Sequence, residues 1–148
     1  MIRLQVVLAG SMRALDTMAE LADRLRQHDI HPIVPAADDL SAPLTPAQLV
    51  EVKREASRLH FAHIRDPRTS ALVVVNPDRH GTPSYVGPNT FAEIAVAFAD
   101  ERAIYLLHDI PTEYEDELRA WGARSFLGSQ DGLVSAVAEM KPRDHRHR

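Results

Sequence analysis

A single carboxylate beside a long loop of turn-forming residues is the first feature of this chain that could do chemistry. Glu93 follows the stretch Pro77-Asp78-Arg79-His80-Gly81-Thr82-Pro83-Ser84-Tyr85-Val86-Gly87-Pro88-Asn89 and falls in the first turn of a helix expected from Thr90. Loops of this length inside a compact domain are usually functional. An ionised carboxylate held on one face of a sugar can attack the anomeric carbon and form a glycosyl-enzyme ester. The same four residues, Thr90-Phe91-Ala92-Glu93, also read as a capping box, with Glu93 returning to the Thr90 backbone N–H. The local pattern leaves both readings open.

A second cluster lies near the N-terminus, where Ala9-Gly10-Ser11-Met12-Arg13 leads from an apolar strand into a helix. Backbone N–H groups, a hydroxyl and a guanidinium converge there, and glycine allows a ligand to approach the backbone closely, so the segment can cradle a phosphate. Gly-Ser is also ordinary turn chemistry with Ser11 as an N-cap. His60 and His63 are three apart on an expected helix, a spacing that permits joint metal ligation. No third ligand motif stands near them, so no metal is expected. His63 continues the apolar stripe of that helix, which equally suits a packed histidine.

The elements that must position these residues follow from hydrophobic periodicity. Short strand-like runs at 4–9, 31–34, 71–76, 103–107 and 124–127 alternate with helical stretches, the pattern of an α/β fold with a parallel sheet. Leu15, Met18, Ala19, Ala22 and Leu25 recur at helical spacing, as do Leu49, Val52, Ala56 and Leu59. Further helices are predicted over 90–100, 112–121 and 130–140. Right-handed crossovers then give a doubly wound, flavodoxin- or Rossmann-like sheet of order 2-1-3-4-5, with ligands outside the carboxyl ends of strands one and three. Both clusters fall on the loops that this rule selects.

Composition bounds the rest. A chain of 148 residues, 45% hydrophobic and 26% charged, fits one globular domain, taken as residues 1–141 with a disordered basic tail at 142–148. Lys141 to Arg148 carries four Lys/Arg against one Asp, so the body bears most of the acidity behind the net charge of −4. Such a body lacks the electrostatic grip that duplex nucleic acid needs. No apolar run is long enough for a membrane span, and no signal-peptide pattern opens the chain, so a cytoplasmic location is expected. The absence of cysteine excludes disulfides and a thiol nucleophile.

The motif Gly87-x-x-Thr90-x-x-Glu93-Ile94, entered from a Val73-Val74-Val75-Asn76 strand, resembles the nucleophile segment of the nucleoside 2-deoxyribosyltransferase-like superfamily. Gly10-Ser11-Met12-Arg13 is similar to the phosphate loop of its 2′-deoxynucleoside 5′-phosphate N-hydrolases, and the likeness runs from Leu4 to Leu107. The resemblance implies cleavage of an N-glycosidic bond, by hydrolysis or base exchange, in a nucleoside or nucleoside 5′-monophosphate. Gly10, Ser11, Arg13 and Ser84 would hold phosphate, and Glu93 would attack C1′. Asn76, Tyr85, Gly87, Asn89 and His63 would border sugar and base. That superfamily usually has a further Asp near strand three; the position is Asn76 here, so Asp78 is taken as the second catalytic acid. No cofactor is implied, and a homodimer is expected because such enzymes usually complete their sites across an interface. Two alternatives stand beside this reading. One is a nucleotide-binding module without catalysis. The other is a cytokinin-activating-type phosphoribohydrolase, whose glycine-rich loop partly resembles Tyr85 to Glu93 but carries a second glycine and a following Arg where Val96 and Ala97 stand.

Overall fold

The computed structural model describes residues 3–35 and 42–142. The tail expected at 142–148 therefore lies, apart from Pro142, outside the described residues. Along the chain run β1 (Leu4–Gly10), α1 (Leu15–Gln27), β2 (Ile30–Ile33), α2 (Pro46–Arg65), β3 (Thr69–Val75) and α3 (Pro88–Ala99). They are followed by β4 (Ala103–Leu106), α4 (Glu115–Ala120), β5 (Arg124–Ser125) and α5 (Gln130–Ala138). The five strands form one sheet of order β2-β1-β3-β4-β5, and every pairing is parallel. The expected architecture is thus the observed one.

Strand periodicity sorts the core into two layers. Leu4, Val6 and Leu8 of β1 with Ala71, Val73 and Val75 of β3 face α1 and α5, meeting Met18, Leu21, Leu133 and Val137. Val7 and Ala9 with Leu72 and Val74 point the other way, toward Ile64 of α2, Ile94 and Ala97 of α3 and Leu118 of α4. β1 and β3 are buried on both faces, which is why they read as unbroken apolar runs. Phe91 stacks on Tyr114 at 4.2 Å and on Trp121 at 5.5 Å, closing the second layer at its outer edge. β5 is shorter than expected because Leu127 (φ 50°) and Gly128 (φ 88°) turn the chain out of extended geometry.

The helix expected around Leu49 to Leu59 departs most from the sequence reading. Its start is set by Thr45 and Gln48, which form a reciprocal capping box, with Pro46 at the first helical position. Twenty residues of α2 span about 30 Å, whereas the seven of β3 span about 23 Å. α2 leads directly into β3, so its N-terminal half projects past the carboxyl ends of the strands. Leu49 (48% exposed) and Leu59 (59%) consequently do not cover the sheet as their spacing implied; among the α2 residues only Ile64 is buried. The far end of α2 is tied down by Arg102, itself 3% exposed. Its guanidinium donates to the carbonyls of Ile64, Arg65 and Asp66 at 3.0–3.2 Å, where the helix leaves acceptors unsatisfied.

Candidate active site

The overhang of α2 makes one wall of a cavity of about 870 Å³ outside the carboxyl ends of β1 and β3, with the start of α3 as the opposite wall. This is the crevice position expected for ligands in a doubly wound sheet. At its floor Gly10 has φ 152°, and a Cβ there would lie 2.5 Å from the Val75 carbonyl oxygen and 2.8 Å from Met18 Cε. Only glycine fits where β1 turns out of the sheet. Ser11 stands at the N-cap position of the turn that follows, yet its hydroxyl makes no capping hydrogen bond. Ser11 and Arg13 both line the cavity.

Glu93 lines the same cavity, and the capping box proposed for it is absent. α3 begins at Pro88 with Gly87 as N-cap, which places Thr90 inside the helix and Glu93 in the second turn, too far along to reach the cap. Pro88 explains the earlier start, since its fixed φ suits the first helical position and its missing N–H costs nothing there. The Glu93 carboxylate instead meets a side chain from α2. His60 Nδ1 lies 2.7 Å from Glu93 Oε1, and His60 Nε2 lies 3.1 Å from the Leu8 carbonyl oxygen. Leu8 is one residue beyond the last β1–β2 pairing, at Val7.

Both ring nitrogens of His60 thus face acceptors. Either neutral tautomer would turn a lone pair toward one of them, so the geometry favours the imidazolium, which donates to both. Burial works against that charge, but the hydrogen bond and charge of Glu93, with the Leu8 carbonyl, outweigh it and raise the His60 pKa above its ordinary 6.5. The side chains of His60 and Glu93 are only 12% and 15% exposed. One carboxylate oxygen is therefore held by a fixed cation while the group still borders the cavity. Sequence reasoning had noted His60 without assigning it; the pairing joins residues 33 apart and leaves no local signature.

The other residues singled out in the sequence divide into two groups. Tyr85, Gly87, Asn89 and His63 line the cavity. Asn76, Asp78 and Ser84 do not; they hold the loop that follows β3. Asn76 donates through Nδ2 to the Asp109 and Ser84 carbonyls and accepts the His108 N–H at Oδ1. Asp78 Oδ1 accepts the Ser84 N–H at 2.8 Å, and Ser84 Oγ accepts the Asp109 N–H at 3.1 Å. These bonds keep Ser84 at a positive φ of 50° and clamp the loop to the end of β4. Asp78 thus occupies a turn rather than a place opposite Glu93.

Two further cations, Lys53 and Arg79, line the cavity together with Arg13, against Glu93 as the one carboxylate among the described residues that line it. None of the three has an ion-pair partner among the described residues, whereas Arg24, Arg65 and Arg119 each do. Counting His60 as charged, the described residues lining the pocket carry a net positive charge in an acidic protein. Among the described residues no group of three His, Asp or Glu comes together to hold a metal ion, and no helix is long and apolar enough to cross a membrane.

A CMP N-glycosidase has this architecture. The solved structure of BcmB from Clostridium botulinum matches with a TM-score of 0.53, over 90% of this chain and 96% of that one, at 17% sequence identity. At that identity the likeness is one of fold. No family model matches the chain, nor does any curated protein.

Proposed function

We propose that this protein cleaves the N-glycosidic bond of a nucleoside 5′-monophosphate, with Glu93 as the nucleophile. The observation that carries the reading is the Glu93 carboxylate fixed by His60 at 2.7 Å on the wall of a cavity that Arg13, Lys53 and Arg79 also line. The free carboxylate oxygen attacks C1′ as the base departs with the bonding electrons, giving a glycosyl ester on Glu93. His60 fixes the carboxylate in ionised form and aims it. Water then attacks C1′, restoring Glu93, and its proton neutralises the departed base. Arg13, with Ser11 and the backbone after Gly10, receives the 5′-phosphate at the start of the first helical turn. The named activity of the fold neighbour, on CMP, is of the same kind.

Leu49, Val52 and Leu59 of α2 lie on one face of the helix and, with Met12, are exposed apolar residues at the cavity, and we propose that a second copy of the chain covers them. Among the described residues no second carboxylate lines the cavity, which favours one other reading, a nucleotide-binding module without turnover. Chromatographic detection of free base from ribo- and deoxyribonucleosides and their 5′-monophosphates separates the two, with Glu93→Gln in parallel. Base released by the parent protein alone supports the nucleophile; saturable nucleotide binding with no release by either protein supports the binding module.

A further inference from the structure

The first turn of α3 carries polar groups that the fold itself leaves unused. Gly87 is the N-cap, and the first helical bond runs from the Phe91 N–H to the Gly87 carbonyl at 2.9 Å, so the N–H groups of Asn89 and Thr90 precede any acceptor in the helix. Thr90 is 7% exposed and lines the cavity. Its hydroxyl has no hydrogen-bond partner among the described residues. The side-chain polar atoms there that are both unpartnered and closed to solvent are Ser70 Oγ and Arg79 Nε. Thr90 Oγ1 is not one of them, so what solvent reaches it comes through the cavity. A helical threonine can turn its hydroxyl back to a carbonyl one turn earlier. This one stays open instead, three residues before Glu93 and on the same face of the helix.

The stereochemistry of the sugar selects the group that meets this hydroxyl. In a β-nucleotide the base and the 5′-carbon with its phosphate rise from one face of the pentose ring, and the 2′- and 3′-hydroxyls of a ribo sugar hang from the other. A carboxylate that displaces the base reaches C1′ from the face opposite the base, which is the hydroxyl face. With Glu93 as nucleophile, α3 therefore lies against the hydroxyls. The phosphate points away from it, toward the exit of β1 where Gly10, Ser11 and Arg13 line the cavity. Three residues of helix rise about 4.5 Å. The 2′-hydroxyl adjoins C1′ and stands within reach of the Glu93 carboxylate itself, whereas the 3′-hydroxyl, one ring carbon further on, matches the set-back of Thr90.

We infer that Thr90 Oγ1, with the free N–H groups of the first turn of α3, binds the 3′-hydroxyl of the substrate sugar. The inference rests on the N-glycosidic reading above. A phosphoryl group on that oxygen needs room that a side chain this buried does not leave. Nucleotides joined through their 3′ position to a polynucleotide, and 3′,5′-cyclic nucleotides, are accordingly excluded.

The test takes whichever of AMP, CMP, GMP and UMP the parent cleaves fastest, with its 2′-deoxy, 3′-deoxy and 3′-phosphorylated forms, and compares the parent with Thr90→Val and Thr90→Ser. Thr90→Val removes the hydroxyl at nearly constant shape. It should lower kcat/KM about 10-fold on the nucleotide and on its 2′-deoxy form, the upper range for one neutral hydrogen bond. On the 3′-deoxy form, which has no contact left to lose, the loss should stay under about 2-fold. Thr90→Ser keeps the hydroxyl and should keep most of the activity. Because the hydroxyl is unpartnered in the free protein, Thr90→Val should match the parent in urea unfolding; a loss of stability would mark the hydroxyl as structural and overturn the inference. Equal losses on all forms, no loss on any, a loss confined to substrates that carry the 2′-hydroxyl, or faster cleavage of the 3′-phosphorylated form overturns it as well, and each leaves Glu93 as nucleophile. A parent protein that releases base from none of the nucleotides sinks the N-glycosidic reading and the inference with it.

Discussion

The contact between His60 and Glu93 allows a double-mutant cycle whose sign changes with pH can be worked out beforehand. His60→Gln keeps a donor for the Leu8 carbonyl and removes the charge, Glu93→Gln removes the carboxylate, and the double variant removes both. A charge-assisted hydrogen bond contributes about 1.5–3 kcal/mol. With the two side chains 12% and 15% exposed, solvent screens the pair weakly, so coupling near the lower end, about 1.5 kcal/mol, is expected at pH 6. Because the folded-state pKa of His60 is raised, the stabilisation is fully present below the ordinary 6.5 and is lost as pH rises through the raised value. Urea unfolding of the four proteins at pH 6 and again at pH 9 measures the coupling at both ends. Catalysis should follow the same window, with kcat of the parent falling on the alkaline side and His60→Gln about 10-fold or more below it at pH 6, since 1.4 kcal/mol is a factor of ten. Coupling under about 0.5 kcal/mol at pH 6, the limit at which independent sites already add, or coupling that persists unchanged at pH 9, refutes the imidazolium–carboxylate pair.

Other expectations follow from single residues. Gly10→Ala drives a Cβ into the Val75 carbonyl and should destabilise by about 1–3 kcal/mol in thermal unfolding while weakening phosphate binding. Arg102→Met leaves the last carbonyls of α2 without their buried donor and should cost about 2 kcal/mol or more by chemical denaturation. Arg13→Ala should raise KM for 5′-monophosphates about 10-fold, the loss of one charge-assisted contact, and leave KM for the unphosphorylated nucleosides unchanged. Asp78→Asn should hold kcat within about 2-fold of the parent, since that carboxylate serves the Ser84 N–H and not the cavity; a loss comparable to that of Glu93→Gln would restore it as a catalytic acid.

The sequence by itself determined the order of strands and helices, because each is written in a local periodicity that burial on one or two faces imposes. It also marked the loops after β1 and β3, since the rule that places ligands at the carboxyl ends of parallel strands needs only the strand order. Gly10 was legible for a similar reason: a tight exit from a strand restricts residue type whatever surrounds it. The two readings of Glu93 could not be separated locally, because Thr90 and Glu93 have capping-box spacing wherever the helix begins. Only the tertiary structure removed the capping box, by starting α3 at Pro88, and set His60 of α2 against the carboxylate. The contacts of Asn76 and Ser84 came from there too, because their partners at His108 and Asp109 lie on the next strand's loop. The exposure of Leu49 and Leu59 came from a mismatch of lengths, a helix longer than the strands it packs on, and periodicity carries the face of a helix but not where the sheet beneath it stops.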